Sequence, residues 1–241
     1  MLPLLLLFGP EADVPISSHD SGDRRTFLTT IAASSAALAA SGVALHFGAE
    51  RADAAEIAAD GFSDAWLGKI TGKHKQLFDV TSVGSGFGLV FAMNFLNSNN
   101  DAYKLADNKI GAVVGLRHFS VPMGFTDEIW ARYKLGEFFQ IMDPATKAPS
   151  TRNFFYHPKD GDLSFPGSAI EKLMSRGVQF TVCSVAMTVL SGMTAKNAGV
   201  SAEDAKKDWQ AHLVPGMNLV ASGVLAVNRA QESGCTYCNG G

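Results

Sequence analysis

The chain has 241 residues, 46% of them hydrophobic and 18% charged, which is ordinary composition for one globular domain plus an appendage. Such a length buries a full core without disulfide or metal staples, and its three cysteines are too few for a disulfide scaffold and leave at least one thiol unpaired within the chain. The net charge of −3 argues against nucleic acid as a partner.

The first fifty residues differ from the rest. "DRRTFL" sets Arg24 and Arg25 ahead of "TTIAASSAALAASGVAL", an apolar run without charge. A twin arginine, an apolar stretch and a small-residue cleavage site together make an export signal. "ADA" at Ala52, Asp53 and Ala54 supplies that site. The expected reading is a cleaved leader over residues 1–54 and a periplasmic or otherwise exported protein. The competing reading is a retained anchor, since Thr26 to Gly48 is long enough to span a bilayer. Membrane contact would then come only through the uncleaved leader. Removing residues 1–54 takes away three arginines and six acidic residues. The remainder is formally neutral, so its long-range steering of charged partners is weak.

Residues 55–75 are polar and Ala-rich and read as a surface helix or arm before a domain over 76–241. "KQLFDVTSV" (75–83) reads as a strand, "GSGFG" (84–88) as a turn, and "FGLVFAMNFLNSN" (87–99) as a helix with Leu89, Met93 and Leu96 at helical spacing. "KIGAVVGLRH" (109–118) is a nearly all-apolar strand, as expected where both faces are covered. "TDEIWARYKLGEFFQ" (126–140) reads as one helix capped by Thr126, with Asp127 and Glu128 in its first turn. Residues 141–167 hold four prolines without periodicity. A loop of that length is uncommon and is often functional; it reads as a lid, an oligomer contact or a surface insertion. Further helices are expected over 168–177, over "SVAMTVLSGM" from Ser184, over 201–213 with Ser201 as cap, and over 223–234. Strands are expected at "VQFTVC" (178–183) and "GMNLVAS" (216–222), and "CTYCNGG" reads as a short edge strand. Strands alternating with helices imply α/β architecture: an open, mostly parallel sheet with helices on both faces.

In such sheets ligands bind beyond the carboxyl ends of the strands, and this rule sorts the polar residues. Ser85 and Gly86 follow the first strand, Arg117 and His118 end the second, Cys183 and Ser184 end the third, and Ser222 ends the fourth. Cys183 is the candidate nucleophile, because a helix N-terminus favours the thiolate. The plainer reading is a buried packing cysteine. His118 is a candidate base beside it, and Arg117 could hold an anion. Either could simply face solvent. A metal held by Cys183 with His118 or Met187 is a weaker third reading. Cys235 and Cys238 have redox-motif spacing, but no helix follows them as a redox site needs. A local disulfide or a loose thiol pair is expected there. "GSGFG" is neither GxGxxG nor a P-loop, and no CxxCH is present. No cofactor is expected.

The segment "LMSRGVQFTVCSVAM", followed by "HLVPGMNLVASGVLAVNRAQESG", resembles the DsrE/DsrF-like sulfur-relay family. The positions that carry the resemblance are Leu173, Gly177, Val178, Cys183, Pro215, Gly216, Val220, Ser222, Gly223, Val224, Gln231 and Gly234. It covers residues 168–237 well and 76–241 loosely. It implies flavodoxin-like layering, assembly into a homo-oligomer, and a strand-end cysteine, here Cys183, able to carry persulfide sulfur received from or passed to a partner protein or small thiol. Two features depart from the relay proteins: the export leader, since those work in the cytosol, and the long 141–167 loop.

Overall fold

The structure is a computed structural model that describes residues 62–241. The twin-arginine leader, its cleavage site and the start of the 55–75 arm lie outside the described residues. Five strands form one sheet: β1 (His74–Val80), β2 (Ile110–Leu116), β3 (Gln179–Cys183), β4 (Asn218–Val220) and β5 (Thr236–Asn239). Their order is β4-β3-β2-β1-β5, and every pairing is parallel. The expected open α/β sheet is therefore present. β5 pairs with β1 through Gln76↔Thr236 to Asp79↔Asn239.

Among the described residues seven α-helices surround the sheet: α1 (Phe87–Tyr103), α2 (Asp127–Arg132), α3 (Leu135–Phe138), α4 (Ile170–Ser175), α5 (Ser184–Ala198), α6 (Ala202–Ala211) and α7 (Gly223–Glu232). Among the described residues no helix is long and apolar enough to cross a membrane. Side chains alternate across the strands, and the alternation divides the core in two. Phe78, Val80, Val114, Leu116, Phe180 and Val182 face the main core, packed against α1, α4, α5 and α6. Leu77 and Val113 face a smaller core closed by Ala226 and Ala230 of α7 and by Trp66 and Ile70. β2 is buried along its whole length, in keeping with its apolar sequence.

Several expectations need correction. The described part of the 55–75 segment is not a surface arm. A 3-10 turn over Asp64–Lys69 buries Trp66 to 1% exposure beneath the second face of the sheet, where α7 alone leaves apolar surface uncovered. The single helix expected over 126–140 is broken in two, because Lys134 takes a left-handed φ of 51°. The break lets Gly136 lie against the following segment, where a Cβ would stand 2.2 Å from the backbone N and O of Ser150. Thr126 holds the cap position of α2 but makes no side-chain cap bond, whereas Ser201 caps α6 as expected, accepting from the Asp204 N–H at 3.0 Å.

The 141–167 segment lacks regular structure yet is firmly anchored. Arg152 donates from Nε to Asp143 Oδ2 at 2.6 Å and through both terminal nitrogens to Asp162 at 2.5 and 2.7 Å. Asn153 donates its backbone N–H to Asp127 and its side-chain amide to the carbonyls of Met123 and Phe125. Phe154 and Phe155 are buried in the main core. The hydrogen bond from Arg152 holds the Asp162 carboxyl below the usual carboxylate range. For Asp143, burial works against the charge, but hydrogen bonds from the Thr146 N–H and from Arg152 outweigh it and the carboxyl is again lowered.

Arg152→Met would leave two buried carboxylates unpaired at a cost of about 3–5 kcal/mol at neutral pH. Carboxyls lowered in the folded state stabilise it above their unfolded pKa near ~4 and lose that contribution as pH falls further. In the variant the unpaired carboxyls are raised instead, so protonation relieves them. Urea unfolding should therefore show a stability gap between wild type and variant that is widest at neutral pH and narrows towards about pH 4. An equal gap at both pH values would count against this anchor.

Candidate functional site

Parallel strands deliver all their carboxyl ends to one rim, and every sequence-predicted site residue sits there. They do not form one site. After β1 the chain makes a tight turn in which Ser85 and Gly86 have φ of 57° and 80°. A left-handed serine is uncommon, and such strain concentrates at ligand clamps. Gly86 is needed here because a Cβ would stand 3.2 Å from the Phe155 ring. This turn forms one wall of a cavity of about 900 Å³. The rest of its lining comes from the segment Phe138 to Met142, from Phe154 and Phe155, and from the residues around Phe165. Ser85 and Gly86 thus line a cavity, as expected.

Cys183, Arg117, His118, Ser184 and Ser222 do not line it. Cys183 is the N-cap of α5, and its Sγ accepts a hydrogen bond from the Ala186 N–H at 3.4 Å. It is 6% exposed. Arg117 lies beside it: a Cβ on Gly223 would stand 2.5 Å from the Arg117 Cβ and 3.2 Å from the Cys183 Cβ. The N-terminus of α7 therefore packs tightly onto both, and glycine at 223 is what permits the approach. Arg117 donates two hydrogen bonds to Asp79, at 2.7 and 2.8 Å, and Tyr237 donates its hydroxyl to the same carboxylate at 2.9 Å. Asp79 is 2% exposed. Its hydrogen bonds raise the pKa of Arg117, with a smaller contribution from Cys183. The bond to Asp79, followed by burial, raises Tyr237.

Arg117 is thus already held by a buried partner and is not a free anion receptor. Ser184 is buried in the first turn of α5, and Ser222 is half-buried at the cap position of α7. His118 is exposed with φ of 56°, its ring 4.1 Å from that of Phe119. Among the described residues no hydrogen bond joins His118 to Cys183, so the expected thiol–base pair is not formed. Nor do three or more His, Cys, Asp or Glu side chains converge there as a metal site requires.

Cys235 and Cys238 are both free thiols. Three positions apart along an extended run, they face opposite sides of the sheet. Cys235 packs in the smaller core and Cys238 against the main one. With the two sulfurs packed in different cores, the expected local disulfide does not form in the folded sheet. Burial raises the Cys235 thiol.

The aromatic lining of the cavity escaped the sequence reading. Its signal was the paired phenylalanines of "GEFFQ", at the end of the expected 126–140 helix, and of "RNFFYH", within the aperiodic, proline-rich stretch that follows. The fold and rim together define an open α/β domain with a roofed apolar cavity at one strand end and a capping thiol at another. No protein-family model matches the chain, and no curated protein matches it. A solved structure of a protein of unknown function from Methanobacterium thermoautotrophicum is similar at 17% identity, covering 69% of this chain and 99% of that one, with a TM-score of 0.34.

Because Cys183 caps α5, Cys183→Ala should cost about 0.5–2 kcal/mol of stability while Cys183→Ser, which supplies a better cap, should cost little. Thermal melts of the two variants check this; equal losses would show that packing, not capping, is what the sulfur contributes.

Proposed function

We propose that the chain is an exported sulfur-handling α/β protein in which Cys183 carries sulfane sulfur. The observation that supports this best is the setting of the sulfur atom: it accepts the Ala186 N–H at the start of a fifteen-residue helix. A helix N-terminus with an N–H aimed at a sulfur is a setting in which reactive cysteines are found. The resemblance around Leu173–Gly234 supplies the chemistry. In the step, the Cys183 thiolate attacks a sulfane sulfur of a polysulfide, the sulfur–sulfur bond behind that atom breaks, and the donor leaves one sulfur shorter with the electron pair. Cys183 then bears a persulfide anion, and no external oxidant is needed. The low exposure of Cys183 restricts donors to slender chains or to a partner's flexible segment. Homo-oligomer assembly belongs to the same proposal; the exposed side chains of Val185, Val189 and Met193 along α5 form an apolar stripe suited to it.

A second reading has an observation of its own. Burial and capping suffice to explain Cys183 as a structural residue, and the protein would then be a non-catalytic ligand-binding module that uses the cavity.

Full-length protein incubated with polysulfide, then analysed by intact-mass and peptide mass spectrometry, should gain sulfur on the peptide bearing Cys183. Cys183→Ser should not gain it there, while Cys235→Ser and Cys238→Ser should. Sulfur found only on the half-buried Cys238, or the same gain in Cys183→Ser as in wild type, would leave the structural reading in place.

A further inference from the structure

The cavity beside the β1 turn has a chemistry distinct from that of the thiol. Seven phenylalanines contribute to its walls, with Leu89, Val90, Ile141 and Met193 among the rest. Asp162 is the one ionisable group among the lining residues, and its carboxylate is fully engaged, accepting from Arg152 twice and from the Lys159 N–H at 2.6 Å. No lysine, arginine or histidine lines the space. An anionic ligand would find no side-chain counter-charge, only the first turn of α1 behind its cap residue Gly86, and a cation would have to compete with Arg152 for a buried acid. Neither would find a free charged side chain to replace its hydration. The polar side chains that remain are uncharged: Ser82 and Ser85 near the sheet end, the Gln140 amide, Ser164, and Ser168, whose hydroxyl already donates to the Phe165 carbonyl.

The cavity is also formed in advance. Leu89 and Phe155 of its lining are buried, and the 141–167 segment that supplies much of the lining is held by Arg152 between two carboxylates. Ser85 and Gln140, both in the lining, hold left-handed backbone. About 900 Å³ lies within the range of small-molecule sites. We infer that this cavity binds a neutral, largely apolar small molecule with a ring or hydrocarbon body and one uncharged polar group turned towards Ser82 and Ser85. This goes beyond the sulfur chemistry assigned to Cys183, which lies outside the cavity, and either could hold without the other.

Two dyes of matched skeleton test it on the full-length chain. N-phenyl-1-naphthylamine is neutral; 8-anilino-1-naphthalenesulfonate carries a fixed negative charge. The neutral dye should bind saturably, one per chain, and the sulfonate about tenfold more weakly or worse. Phe119 and Phe165 are each about half exposed, so Phe119→Asp and Phe165→Asp leave the buried core intact. Each should weaken the neutral dye about tenfold or more. Val224→Asp, on the exposed face of α7, should leave it unchanged. Thermal melts confirm that each variant is folded. The inference is overturned if the sulfonate binds as well as the neutral dye, or if binding survives both lining variants. It is equally overturned if wild type binds no dye while light scattering shows a multimer that either lining variant dissociates, since the cavity would then be filled by a second copy.

Discussion

The parallel pairing of all five strands is the constraint on which the rest of this molecule depends. Parallel neighbours cannot be joined by tight turns, so each connection must cross a face of the sheet. Each strand then ends at the same rim, and the ends of β1 to β4 are each followed by a helix or a turn leading to one. The glycine turn after β1, the Arg117–His118 corner after β2 and the Cys183 cap after β3 are neighbours for this reason alone. The sheet order β4-β3-β2-β1-β5 then sets the spacing between them. Alternation of side chains decides on which side of the sheet each one acts.

That last step separates the two sites. Asp79, Arg117 and Tyr237 belong to one ion-paired cluster against the start of α7, and Cys183 borders it. The cavity lies on the side where α1 and the anchored segment pack. The buried Asp79 carboxylate is costly to desolvate and is offset only when its hydrogen bonds are complete; half-buried Arg117 supplies two of them and Tyr237 from β5 a third. The edge strand therefore has a polar role beyond extending the sheet. It brings a hydroxyl to a carboxylate that its neighbour β1 has buried.

Much of the fold was legible because its signals are local. The apolar run of "GAVVG" announces a strand covered on both faces, and the Ser201 cap with Asp204 three places on announces α6. Strand ends were placed a few residues too generously, since β4 is only Asn218–Val220 although "GMNLVAS" reads as extended throughout. The break at Lys134 left no sign, because a lysine in left-handed backbone is dictated by the packing of Gly136 against Ser150 and not by its own preference. Of the candidate site residues, the sequence placed all at the rim but could not divide them. The division rests on which helix covers which face, and no local pattern encodes that. The roof of the cavity was hidden for a related reason: its aromatic residues come from an aperiodic segment whose shape is set by Arg152 reaching residues nine and ten positions away.

The pairing of β5 with β1 joins residues 160 positions apart. Until residues 236–239 have left the ribosome, the outer edge of β1 has no partner, and an unpaired strand edge is a template for pairing with another chain. The nascent protein thus carries an open seam along β1 until β5 has been made. Anything that delays or displaces that strand also withdraws Tyr237 from Asp79. Edge protection and the polar cluster at the rim are therefore completed in the same late event.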